Sequence, residues 1–130
     1  MRTSDKDLHL LKHIAVYCER IKSAVNQIET LDNLLDSPFY QDALSMPMLQ
    51  IGELVRNMTD ETKEKYNYIP WKEIRALRNT LVHSYGEIDW DRIWDTAIND
   101  IPVLKKECQK IEKQIEKQAR DKDFSNNFSR

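Results

Sequence analysis

The sequence predicts an all-α protein, an antiparallel bundle of four to five helices. Three observations predict it. Two Gly and four Pro in 130 residues leave little material for the tight turns of a β protein. Apolar residues recur at steps of three and four over long stretches, the period of a helix with one buried face. A charged fraction of 32% beside a hydrophobic fraction of 40% suits helices that are strongly two-sided. The length sits near the usual size of one domain, enough to bury a core.

Ser4 or Asp5 is placed to cap a first long helix. Its stripe of Leu8, Leu11, Ile14, Cys18, Ile21, Val25, Ile28, Leu31 and Leu35 has no missed step, as in a helix packed along a second long one. The segment "DSPFY" ends this helix at Pro38. A second helical region carries Phe39, Ala43, Leu44, Leu49, Ile51, Leu54, Val55 and Met58. Pro47 falls inside it and is expected to kink or restart it, with Ser45 as a new cap. Residues 60–68, "DETKEKYNY", are polar with room for a short helix.

Pro70 in "IPW" offers a first-turn proline, so a third main helix is expected from about Trp71 to Tyr85, with Gly86 ending it. Asp89 can cap the last long helix, whose apolar face runs from Trp90, Ile93 and Trp94 through Ile101 and Cys108 to Ile115, bent at Pro102. From Arg120 onward the apolar period is lost. The expected division is a helical domain over 1–119 and a flexible tail over 120–130.

No apolar run approaches the roughly 18 residues that a membrane span needs. "MRTSDKDLHLLKH" holds no apolar signal core, so export is not expected. Cys18 and Cys108 lie within helical patterns, without Cys or His at zinc-finger spacing, and read as reduced thiols of a cytoplasmic protein. The net charge of −2 and pI near 5.9 argue against a DNA-coating role. They leave room for a small local phosphate site.

Chemistry concentrates in "RNTLVHSY", residues 78–85. With about 100° per residue, Leu77 and Leu81 share the expected buried side of the third helix with Ile74. Arg78 and Tyr85 lie almost on one line, and Asn79 and His83 lie further round, one turn apart. Arg78 and His83 are then about 140° apart, wide for two groups sharing a ligand within one chain. A two-fold dimer would bring both copies of Arg78, Asn79 and His83 around one cleft. A histidine exchanges a proton near neutral pH, and an arginine holds phosphate and offsets developing charge. Without a metal, the two suit attack of an RNA 2′-hydroxyl on its neighbouring phosphorus. Spacing by itself also fits a plain solvated helix face.

The ordered series "IGE" (51–53), "IPW" (69–71), "RNTLVHSY", "IDWDRIW" and "DIPVLK" resembles the HepT-like branch of the HEPN superfamily, and with the first helix the resemblance covers nearly the whole chain. It implies a bundle that dimerises through the motif helix, forming a metal-independent endoribonuclease that is the toxin of a toxin–antitoxin pair. Arg78 and His83 correspond to the catalytic pair and Asn79 to its polar neighbour. Tyr85 corresponds to the tyrosine that an MntA-type minimal nucleotidyltransferase antitoxin modifies with AMP, which would add bulk and negative charge at the cleft. The partners implied are RNA, that nucleotidyltransferase and a second copy of the chain, with no cofactor and no metal. A different class of function fits the same helix: a non-catalytic partner that binds and regulates a nucleotidyltransferase. A bare dimerisation module is the plainest option.

Smaller signals read structurally. His9 and His13, one turn apart, lack an evident third metal ligand. Trp71, Trp90 and Trp94 share the register of the apolar faces and are expected to pack. Gly52 is expected to let two helices approach closely, and Glu53 to be an exposed helical glutamate.

Overall fold

The computed structural model describes residues 3–83 and 87–128, with side chains described over 5–83 and 87–127. Seven α-helical segments and one π-helical turn occur among the described residues. The segments are α1 (Thr3–Ile28), α2 (Leu31–Asp36), α3 (Pro38–Arg56), α4 (Asp60–Lys65), α5 (Trp71–His83), α6 (Trp90–Asp95), the π turn Thr96–Asp100, and α7 (Ile101–Phe128). No strand occurs among the described residues.

The core forms where the apolar stripes of α1, α3 and α7 meet. Leu11, Ile14, Ile21 and Ile28 of α1, Leu44, Met48 and Ile51 of α3, and Ile111 of α7 are fully buried. Each such side chain contributes about 1.5–3 kcal/mol on leaving water. Two links fix the direction of α7 against α1: Lys12 pairs with Glu116 and Glu19 with Lys105, so one number rises as the other falls and the helices are antiparallel. α3 returns along α1 in the same way. Its far end leads to Thr59, whose N–H donates to the Asp7 carboxylate near the start of α1 at 3.1 Å. Asp7 is completely buried and also accepts from the Thr59 and Thr62 hydroxyls, so hydrogen-bond donors compensate its burial. The main helices therefore stack in the order α7, α1, α3, α5.

The long apolar stripe does not mark one helix. α1 ends at Ile28, because Glu29 takes a left-handed backbone (φ 73°) and Thr30 begins a new helix as its cap, accepting from the Asn33 N–H at 3.1 Å. Asn33 in turn donates to the Ile28 carbonyl at 2.7 Å. Leu31 and Leu35 keep the step of three and four across the break, so periodicity alone hides it. Ser37 then closes α2 and caps α3, with Pro38 in the first turn.

Pro47 neither ends nor restarts the second helix. α3 runs through it, and Pro47 is buried in a stripe with Leu44, Met48 and Ile51. Packing on α1 holds the helix against the roughly 3 kcal/mol penalty of an interior proline. Ser45 caps nothing; its hydroxyl is buried without a hydrogen-bond partner among the described residues. At the N-terminus, helix begins at Thr3, which puts Ser4 and Asp5 inside the first turn of α1.

Asp89 caps α6 as expected, accepting from the Arg92 N–H at 3.2 Å. The chain stays helical from Trp90 to Phe128 and absorbs Pro102 in the π turn just before it, where the Ile101 N–H reaches back to the Thr96 carbonyl. Helix does not give out at Arg120. α7 continues to Phe128 with residues 121–127 exposed. Beyond Pro102 the sequence holds neither Gly nor Pro, so the helix outlasts its apolar face.

Candidate functional site

α5 is the outer main helix and packs on α3. Pro70 precedes it, and the Pro70 carbonyl accepts the Ile74 N–H at 3.1 Å. Trp71 anchors the first turn: the ring is buried and its indole N–H donates to the Tyr66 carbonyl at 3.1 Å. Trp90 and Trp94 are half-buried against the same core, so all three tryptophans pack. Along the rest of α5 the expected buried stripe is incomplete. Ile74, Leu77 and Leu81 are only half-buried, and Val82 is exposed.

Gly52 sets how close α5 comes to α3. A Cβ placed there would lie 2.8 Å from the Arg78 Cβ and 3.1 Å from the Arg78 backbone nitrogen. Glycine thus permits the close approach expected of it, and the residue it admits is the motif arginine. That approach brings Glu53 into reach. Glu53 is more than a plain exposed glutamate: it is 31% exposed, and its Oε1 lies 2.6 Å from Arg78 Nε. Arg78 Nη1 donates to Asn79 Oδ1 at 3.3 Å, which fixes a second edge of the guanidinium. An ion pair this open adds at most about 1 kcal/mol to stability. Its main effect is orientation.

A cavity of about 190 Å³ opens beside this pair, lined by Gly52, Arg56, Arg75, Arg78 and Asn79. Arg78 and Asn79 are therefore together at one site. His83 is in the last turn of α5, exposed, and is not among the lining residues, in keeping with its large angular offset from Arg78. Tyr85 and the expected helix-ending Gly86 lie outside the described residues. Sequence reasoning missed Arg56 and the link from Glu53 to Arg78. Gly52 and Arg56 lie one turn apart on α3, and Arg75 lies one turn from both Arg78 and Asn79 on α5. That pattern is visible once Gly52 is taken as the crossing point.

The other reactive groups are quiet. Burial pushes the Cys18 thiol up to about 12, partly offset by Lys105, and pushes Cys108 up as well. Neither is poised as a nucleophile. The His9 and His13 rings meet edge to face at 4.4 Å. Among the described residues no group of three or more His, Cys, Asp or Glu side chains could hold a metal ion, and no helix is long and apolar enough to cross a membrane.

A family model described as Ribonuclease HepT-like matches residues 14–111, three quarters of the chain and all of the site above. The chain belongs to the HepT-like ribonuclease family. Among its relatives is a Thermococcus cleftensis protein named "Probable ribonuclease HepT", 34% identical over 113 residues, covering 87% of this chain and all of the relative. A Caldanaerobacter subterraneus protein named as a candidate RNase is 34% identical over 101 residues, 78% of this chain and 89% of its own. A Methanocaldococcus jannaschii protein, named as a gamma-glutamylcyclotransferase and candidate RNase, is 35% identical over 117 residues. This HepT-like chain is matched there over 85% of its length but spans only about half (53%) of that relative. No solved structure gives a significant match.

Proposed function

We propose that this HepT-like protein is a metal-independent endoribonuclease in which Arg78 binds the scissile phosphate and His83 moves the proton. The observation that carries the reading is the held guanidinium: Glu53 and Asn79 fix Arg78 at the edge of a cavity rich in arginine, on the same short helix as an exposed imidazole. In the reaction an imidazole takes the proton of the RNA 2′-hydroxyl, and the 2′-oxygen attacks the adjacent phosphorus. The bond to the 5′-oxygen breaks, and that oxygen receives a proton. Arg78 offsets the charge that builds on the non-bridging oxygens, which is the step where a fixed donor is most effective. The products are a 2′,3′-cyclic phosphate and a 5′-hydroxyl.

Two proton transfers suit two histidines. The half-covered stripe of Ile74, Leu77 and Leu81 beside exposed Val82 favours a homodimer through α5, which would supply a second copy of His83 across the cleft. Family membership and the position of Tyr85, two residues beyond His83, support the regulatory half of the proposal. There the protein is the toxin of a toxin–antitoxin pair. A nucleotidyltransferase partner neutralises it by adding AMP to Tyr85, placing negative charge where RNA must enter.

End-group analysis of the products tests the chemistry. Fragments ending in 2′,3′-cyclic phosphate, formed in EDTA, are expected. Fragments ending in 3′-hydroxyl and 5′-phosphate would mean attack by water through a different mechanism, and His83 would lose its role as the group that activates the 2′-hydroxyl.

A further inference from the structure

We propose that the cavity between α3 and α5 is a second phosphate subsite, in which Arg56 and Arg75 hold the RNA phosphodiester next to the one that is cleaved. This rests on the ribonuclease reading of Arg78 and adds two residues to it. The cavity is lined by three guanidinium groups, one amide and a glycine, with no carboxylate among them. The carboxylate at hand, Glu53, is committed to Arg78 at 2.6 Å and reaches Arg56 only at 3.9 Å. Arg75 forms no ion pair among the described residues and is exposed. In a chain of net charge −2, three arginines facing one glutamate form a local positive surplus.

The lining selects phosphate over base. Among the described residues no aromatic ring borders the cavity, so nothing there can stack a nucleobase. Arginine presents a planar fork of donors that matches two phosphate oxygens at once. At about 30 Å³ per water, the cavity has room for one phosphodiester group and little else. Gly52 keeps it open, since any side chain there would run into Arg78. Because Arg78 forms one wall, a strand whose scissile phosphate sits on Arg78 leads its neighbouring phosphate to Arg56 and Arg75.

The probe is a 2′-O-methyl RNA oligonucleotide, which cannot be cleaved, bound at a series of salt concentrations and followed by fluorescence anisotropy. Three full-length proteins are compared: the unaltered chain, Arg56→Ala with Arg75→Ala, and Lys117→Ala with Arg120→Ala, which removes the same charge from α7. The double arginine variant is expected to bind at least 10-fold more weakly, and its slope of log affinity against log salt to be shallower by about 1.4, two phosphate contacts at about 0.7 each. Arg56→Lys with Arg75→Lys should recover the slope and only part of the affinity. Equal binding by the arginine variant, or equal losses in the α7 variant, would overturn the subsite. Cleavage of the all-ribose oligonucleotide separates the two claims. If the unaltered chain does not cut but the arginine variant loses its slope, the subsite stands and the ribonuclease reading falls. If it cuts and the slopes agree, the reverse holds.

Discussion

Glu53 Oε1 lies 2.6 Å from Arg78 Nε, joining α3 to α5 at the point where Gly52 lets the helices touch. A carboxylate on an arginine assigned to phosphate looks at first like competition. The two contacts occupy different edges: Glu53 takes the Nε side and Asn79 takes Nη1, leaving the remaining N–H groups in a fixed direction.

Glu53→Ala separates orientation from charge. RNA should bind more tightly, because a negative charge is gone, while kcat falls about 10-fold, equivalent to about 1.4 kcal/mol of transition-state stabilisation. Glu53→Gln keeps an acceptor for Nε and should recover much of kcat. Steady-state kinetics on both variants checks this, and a fall in KM and kcat together is the signature.

Gly52→Ala tests the helix contact. Alanine favours helix over glycine by about 1 kcal/mol. Against that, the new methyl would press on the Arg78 backbone nitrogen at 3.1 Å, which cannot swing aside as a side-chain tip can. Overpacking of this kind costs about 1–3 kcal/mol, so a small net loss in urea midpoint is expected, with a larger loss of cleavage because Arg78 is displaced.

Asp7→Ala removes the partner of the Thr59 and Thr62 hydroxyls and of the Thr59 N–H. Buried donors left without acceptors cost about 1–3 kcal/mol each, so the variant should lose several degrees of Tm. Since Asp7 is far along the chain from α5, the activity of the folded fraction should hold. Thermal melting followed by circular dichroism, beside activity at a low temperature, reads both.

The buried thiols give a pH dependence of stability. Both are held protonated in the folded chain, Cys18 up to about 12 from the ordinary 9.0. The unfolded chain ionises first, so stability is intact below pH 9 and falls as pH rises from about 9 towards 12. The slope approaches about 1.4 kcal/mol per pH unit for each thiol. Urea unfolding across that range measures it, and Cys18→Ala should flatten the curve. Thiol reagents should label neither cysteine at about pH 8 until the chain unfolds.

Much of the fold was legible because helix periodicity and caps are local: Asp89 and the sequence "IPW" each start a helix where expected. The break at Glu29 was not, since Leu31 and Leu35 keep the apolar step across it. Pro47 misled for the opposite reason, as a local penalty was outweighed by packing that the sequence does not display. In the site, Gly52 was legible as a point of close approach and the wide angle from Arg78 to His83 followed from the helix period. The pairing of Glu53 with Arg78 joins residues on different helices, far apart in the chain, and no local pattern announces it.

The central claim is that Arg78 and His83 cut RNA without a metal. The direct measurement is cleavage of labelled total RNA in EDTA by the unmodified protein, beside His83→Ala and Arg78→Ala of matched folding stability. Cleavage by the first, with losses of about 100-fold or more in both variants, is the expected result. Equal cleavage by the His83→Ala protein, or none by the unmodified one, would contradict the assignment.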